Sequence, residues 1–178
     1  MTAATVCTIG HSTHPFEEFV SMLRRNDVER VVDVRRNPGS RRYPQFGEQA
    51  LALSLPDAGI DYGRIAALGG RRHTPVAQQS ANGGWRNQSF RSYADYMQTP
   101  EFAAGLEELI DLAGRQRVAI MCAEAVPWRC HRSLIGDALL VHGAEVLDIM
   151  SATSTKPHTL TSFAEVDGTR LSYPPYED

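Results

Sequence analysis

The stretch Val118-Ala-Ile-Met-Cys-Ala-Glu-Ala-Val-Pro-Trp-Arg-Cys-His-Arg132 decides how the chain folds. Its first five residues are apolar and hold no turn former, which reads as a strand buried on both faces, from about residue 117 to 122. The next residues, with Pro127, read as a short loop. From Cys130, Leu134, Ile135, Ala138 and Leu139 recur at helical spacing until Gly143, predicting a helix over 130–141. A buried strand, a loop and a covering helix make the repeating unit of an α/β domain.

The same alternation extends both ways. Downstream, Glu145-Val-Leu-Asp-Ile-Met150 is a strand; upstream, Thr99 caps a helix that has Pro100 at its first position and Phe102, Leu106, Leu109 and Ile110 on its buried stripe. Near the N-terminus, Val6-Cys-Thr-Ile9 is a strand ending at Gly10. A helix follows from about Pro15, with Phe16, Phe19, Val20 and Leu23 at i, i+3, i+4 and i+7. Arg30-Val-Val-Asp-Val34 is the second strand, residues 47–55 a helix stopped by Pro56, and Gly59-Ile-Asp-Tyr62 a third strand. The expectation is a single three-layer α/β domain over residues 1–150, Rossmann-like, with a mostly parallel sheet covered by helices on both faces. Residues 63–92 predict a long functional or mobile loop, able to close as a lid, and residues 151–178 a loop and loosely attached tail.

Composition is that of an ordinary globular chain: 178 residues, 42% apolar and 22% charged, with no apolar run long enough to span a membrane. The N-terminal residues lack the basic-then-apolar pattern of a secretory leader. Together with an odd set of cysteines, Cys7, Cys122 and Cys130, this predicts reduced thiols in the cytoplasm. The net charge of −3 hides an asymmetry, because residues 30–91 carry ten Arg against four acids. Such an arginine cluster suits phosphate or carboxylate, and equally suits a solvated basic face.

In a parallel sheet three polar strand ends share one edge: Gly10-His-Ser-Thr13, Asp33-Val-Arg35 and Cys122-Ala-Glu124. Ligands bind at that edge in open α/β folds. His11 and Ser12 precede a helix start that favours an anion, although Ser12 or Thr13 can simply cap that helix. Asp33, on an apolar strand, needs a partner such as Arg35 or Arg132, as a site carboxylate or as a structural ion pair. Cys130, at a helix start between Arg129 and Arg132, fits a nucleophile or a small buried hydrophobe; Cys122 fits a core position. The C-x7-C-H spacing of Cys122, Cys130 and His131 matches no standard zinc site, and no metal or cofactor is assigned. Cys122 lacks the arginine five residues on that a phosphatase loop requires. Trp85 and Trp128, beside Arg86 and Arg129, can stack a base or pack as a lid.

Thr8-Ile-Gly-His-Ser12, Asp33-Val-Arg35 with Pro38 and Ser40, Leu68-Gly-Gly70, Tyr93-Ala-Asp-Tyr-Met97 and Met121-Cys-Ala-Glu124 with Pro127 and Cys130-His-Arg132 together resemble the domain of unknown function 488 family, from about residue 8 to 150. The resemblance implies a compact α/β domain and brings no activity with it. Its motif positions fall on the strand ends reached from the residues themselves.

Three functions remain open. The first is an enzyme on a phosphate-bearing, nucleotide-like or nucleic-acid substrate, using hydrolytic or base-processing chemistry. Here His11, Ser12, Arg35, Arg132 and Trp128 bind, Asp33 or Glu124 is general acid or base, and His131 relays a proton. The second is a non-catalytic module that senses a nucleotide or nucleic-acid end. The third is thiol chemistry at Cys130. Each takes an anionic small molecule or nucleic-acid fragment as partner and none requires a membrane; the oligomeric state is not readable.

Overall fold

The computed structural model describes residues 4–39, 41–70 and 80–175. Ser40 and the arginines at 71 and 72 lie outside the described residues, as does the middle of the predicted 63–92 loop. Five parallel strands form the sheet: β1 (Thr5–Gly10), β2 (Arg30–Asp33), β3 (Asp61–Arg64), β4 (Val118–Cys122) and β5 (Glu145–Ile149). A sixth, β6 (Thr155–Pro157), joins antiparallel at the edge, giving the order β3-β2-β4-β1-β5-β6. The layers are those expected of a Rossmann-like α/β domain, with β4 lying between β1 and β2.

Alternate side chains of the strands feed two cores. On one face Val6, Val32, Val118 and Ile120 meet α3 (Gln88–Tyr96), α4 (Pro100–Ala113) and α5 (Arg132–Val141). On the other face Cys7, Ile9, Val31, Ala119 and Met121 meet α1 (Phe16–Arg25) and α2 (Glu48–Asp57). Every residue of β4 is buried, which accounts for its unbroken apolar run. No helix among the described residues is long and apolar enough to cross a membrane.

Four elements differ from the sequence expectation. Pro56 does not stop α2 but sits in its last turn, where its missing N–H removes one bond and Ala58 closes the helix onto Ser54 and Leu55. The third strand begins at Asp61, two residues later than predicted, because Ala58 and Gly59 still turn out of α2. Helix α3 begins inside the stretch read as irregular, capped by Asn87, whose side chain accepts from the N–H groups of Ser89 and Phe90. Beyond Ser151 the chain forms β6 and a hairpin, β7 (Glu165–Asp167) with β8 (Arg170–Ser172), and it buries Leu171 and Tyr173 in the core.

Register explains why one sheet edge collects the chemistry. Gly10 pairs with Cys122 and Asp33 with Met121, so β1, β4 and β2 end level. Their extensions stay joined: His11 N–H donates to Cys122 O, Ser12 N–H to Ala123 O and Val34 N–H to Met121 O.

Candidate functional site

Past that edge lies a cleft of about 540 Å³ lined by Arg35, Arg36, Asn37, Asn87, Ser89, Phe90, Tyr93, Cys122, Glu124, Arg129, Cys130 and His131, among others. A smaller hollow of about 260 Å³, holding His11, Ser12 and Tyr43, shares Arg35, Asn37, Gly39 and Ala123 with it. The two form one surface with Arg35 between them. A third hollow, of about 430 Å³ between α4, α5 and the β7–β8 hairpin, is lined mainly by apolar residues such as Phe102, Leu106 and Leu171, with Arg170 as its one arginine beside Glu107 and His142.

Arg35 is held before any ligand arrives. Its Nε and Nη2 donate to the two carboxylate oxygens of Asp33 at 2.9 and 2.7 Å, and Tyr62 donates its hydroxyl to the same carboxylate at 2.5 Å. Burial works against the guanidinium's charge, but the hydrogen bonds and charge of Asp33 outweigh it and raise the Arg35 pKa. Burial and the bond to Asp33 push the Tyr62 hydroxyl up as well, keeping it a donor. His11 completes the clamp. Its Nδ1 must donate to the Ser12 carbonyl at 3.0 Å, which leaves Nε2 to accept from Arg35 Nη1 at 3.3 Å. The ring stacks on Phe46 at 4.5 Å, and burial lowers its pKa, so His11 is a neutral prop and not a cation for an anion.

These contacts decide between alternatives in two sequence readings. Asp33 is wholly buried and engaged by Arg35 and Tyr62, so it positions the arginine and is not among the residues that line either hollow. Neither Ser12 nor Thr13 caps α1; Pro15 stands at the cap without a side-chain bond. Ser12, at φ 45°, instead takes the left-handed backbone that non-glycine residues rarely enter, and it lies in the smaller hollow with His11.

The second cluster surrounds two thiols. Arg132, predicted to bind substrate, is 0% exposed, and its guanidinium donates to Thr8 Oγ1 at 3.3 Å, Cys122 Sγ at 2.9 Å, Glu124 O at 2.6 Å and Ala125 O at 3.3 Å. It fastens the loop after β4 and does not face the cleft. Gly10 makes this possible, since a Cβ there would stand 1.5 Å from Glu124 O and 2.7 Å from Arg132 Nη1. Among the described residues no carboxylate contacts this buried cation, and the acceptor able to carry a countercharge is the Cys122 sulfur.

The surroundings of the two thiols make Cys122 the more easily ionised of the pair. Burial raises the Cys122 pKa, but the neighbouring Cys130 thiol, the Arg132 charge and the Glu124 backbone together bring it down to about 7. Burial and the neighbouring Cys122 sulfur push Cys130 well up. The helix dipole cannot rescue Cys130, because α5 starts at Arg132 and Cys130 stands before it in extended backbone. His131 Nε2 must donate to the Val34 carbonyl at 2.9 Å, so Nδ1 is an acceptor, 3.4 Å from Cys130 Sγ. Its ring lies against Tyr93 and over Gly70, where a Cβ would come within 2.7 Å of Nδ1.

The remaining candidates divide. Glu124 is exposed on the cleft wall, as are Arg36 and Arg129. Trp128 is 63% exposed and is not among the cleft-lining residues; Phe90 and Tyr93 supply the aromatic wall instead. Trp85 packs against Phe90, Phe163 and Tyr173, which is the lid-packing alternative. The sequence reading missed Asn87, Ser89 and Phe90 because α3 was unrecognised; Asn87 before Phe90, Tyr93, Ala94 and Met97 at helical spacing was the available signal.

A three-layer α/β domain with an arginine-rich, thiol-bearing cleft at the carboxyl ends of its central strands is the class of protein that fold and site define. The chain belongs to the family described as "Domain of unknown function DUF488", whose model matches residues 15–139. The matched stretch takes in Asp33, Arg35, Glu124, Cys130, His131 and Arg132 and begins after His11 and Ser12. No curated protein and no solved structure matches the chain.

Proposed function

We propose that the chain is an enzyme acting on an anionic, phosphate-bearing substrate of nucleotide or nucleic-acid type, with Glu124 as general acid or base and His131 as proton relay. The observation that carries this reading is the lining of a single cleft: the guanidiniums of Arg35, Arg36 and Arg129 beside one exposed carboxylate and one imidazole. The cleft volume lies within the range of small-molecule sites. Arg35, oriented by Asp33 and His11, is a fork fixed in advance, which lowers the ordering cost of gripping a phosphate. Asn87, Ser89, Phe90 and Tyr93 add hydrogen-bonding groups and flat rings suited to a nucleobase.

The test is a thermal-shift screen of nucleotides, nucleobases, sugar phosphates and short oligonucleotides, with Arg35→Ala and Arg129→Ala in parallel. A phosphate compound should raise the midpoint of the native chain by mass action, and each variant should bind it about tenfold more weakly. If no phosphate compound moves the midpoint, or the hit keeps full affinity in both variants, the reading fails. Glu124→Gln separates an enzyme from a sensor: it should keep binding while turnover falls by about a hundredfold or more.

A further inference from the structure

We propose that Cys122 and Cys130 form a working dithiol that reduces anionic organic disulfides bound in the same cleft. This activity uses the cleft but not the phosphate reading, and stands whether or not a phosphate compound binds. Four observations support it. Both cysteines line the cleft, 2% and 6% exposed. Arg132, wholly buried and fixed by Thr8 and two loop carbonyls, presents Nη1 2.9 Å from Cys122 Sγ and has no carboxylate to satisfy it among the described residues. Cys130 opens on the same cleft, close enough to Cys122 for each thiol to shift the other's titration. His131 Nδ1, an acceptor because Nε2 is committed to Val34 O, stands 3.4 Å from Cys130 Sγ. A thiolate, a neighbouring thiol and a base beside that thiol are the components of two-step thiol–disulfide exchange.

In the first step the Cys122 thiolate attacks one sulfur of the substrate disulfide. A Cys122–substrate S–S bond forms, the substrate's own S–S bond breaks, and the first thiolate leaves. In the second step Cys130 gives its proton to His131 Nδ1 and attacks the Cys122 sulfur. The Cys122–Cys130 bond forms, the mixed disulfide breaks, and the second thiolate leaves and takes the proton from His131. The protein dithiol loses two electrons and the substrate disulfide gains them; an external dithiol restores the reduced protein. Arg35, Arg36 and Arg129 select a substrate carrying carboxylates or phosphates. Cys7, buried in the opposite core with its pKa raised chiefly by burial, stays outside the cycle.

The test treats the reduced full chain with dithionitrobenzoate, a dianionic aromatic disulfide. The native chain should release two aryl thiolates and yield a Cys122–Cys130 disulfide on peptide mapping, with Cys7 still reduced. Cys130→Ser should release one thiolate and keep the aryl group on Cys122, and Cys122→Ser should react about tenfold more slowly or worse. With dithiothreitol as reductant, the native chain should turn over the dianionic probe faster than neutral dipyridyl disulfide, each corrected for its rate with free cysteine. A native chain that retains aryl groups on both sulfurs, a Cys122→Ser variant that reacts as fast as native, or equal corrected rates for the two probes would each overturn the proposal. Circular dichroism of both variants establishes that a lost reaction is not a lost fold.

Discussion

The largest wholly buried side chain among the described residues is a charged one, Arg132, and most of the site's chemistry follows from its placement. A guanidinium removed from water must find acceptors for its five N–H groups and a charge to balance its own. Loop carbonyls, Thr8 and the Cys122 sulfur meet these needs. Arg132→Met therefore carries two expected results. Loss of the loop's anchor should destabilise the chain by about 2–4 kcal/mol, read from urea unfolding. Without the guanidinium, the pH midpoint for alkylation of Cys122 should rise from about 7 to about 8.5 or higher, the range of an ordinary thiol. A midpoint that stays put would mean that Arg132 is not what holds the thiolate. Sequence alone identified the cluster and offered Cys130 as an activated thiol or a small buried hydrophobe and Arg132 as a substrate ligand, whereas the structure buries Arg132 and aims it at Cys122. Proximity along the chain favoured that choice; which guanidinium is sealed in, and onto which sulfur it points, depends on Gly10 opening space from a strand more than a hundred residues away.

At the scale of elements, the segment after Ser151 is fixed by buried charge where its polarity had suggested a loose tail. His158, 5% exposed just past β6, contacts Asp148 through Nδ1 at 2.8 Å and Asp137 through Nε2 at 2.9 Å. Both partners accept, so both ring nitrogens carry hydrogens and the imidazole is charged. Asp137 also takes the hydroxyls of Thr161 and Tyr173, and Asp148 takes that of Thr8, which in turn accepts from Arg132. One network thus runs from the tail to the thiols. Burial lowers the His158 pKa, but the two carboxylates outweigh it and raise the value to about 9. Because the folded value exceeds the unfolded one, the contribution is full below about pH 6.5 and is lost as pH climbs through about 9. The loss should amount to about 3 kcal/mol, visible as a falling urea midpoint between those limits, and His158→Gln should flatten it. A native midpoint level to pH 9.5 would refute the charged clamp. Neither Asp137 on α5 nor His158 stands out in sequence, since an isolated polar residue among apolar ones gives no sign of a distant partner. By contrast α4, with Thr99, Pro100 and a periodic apolar stripe, was legible because all its signals are local.

For the molecule as a whole, layering and site location were readable and strand order was not. Buried strands alternating with helices require two covered faces, and parallel strands require their ends to share an edge, so the meeting of His11, Arg35 and Cys122 needed no tertiary information. Nothing in strands of four to six residues says that β4 enters between β1 and β2. That insertion has a mechanical consequence. The two strands whose ends carry Gly10 and Cys122 are the central pair of the sheet and are covered by both cores. The cleft floor should accordingly belong to the last part of the molecule to open, while its walls, the 35–39 turn and the 123–126 loop, lie beyond the strands and hang on the bonds of Arg35 to Asp33 and of Arg132 to Glu124 O and Ala125 O. Native-state hydrogen exchange tests this division. Amides of Val118–Cys122 and of residues 6–9 should exchange only through global unfolding, with a denaturant dependence matching that of equilibrium unfolding. Those of Glu165–Asp167, the exposed strand of the two-stranded hairpin, should exchange through local opening that denaturant hardly changes. If β4 exchanged as readily as the hairpin, the thiols would rest on a mobile base, and a geometry holding Arg132 against Cys122 at 2.9 Å could not persist long enough to keep a thiolate.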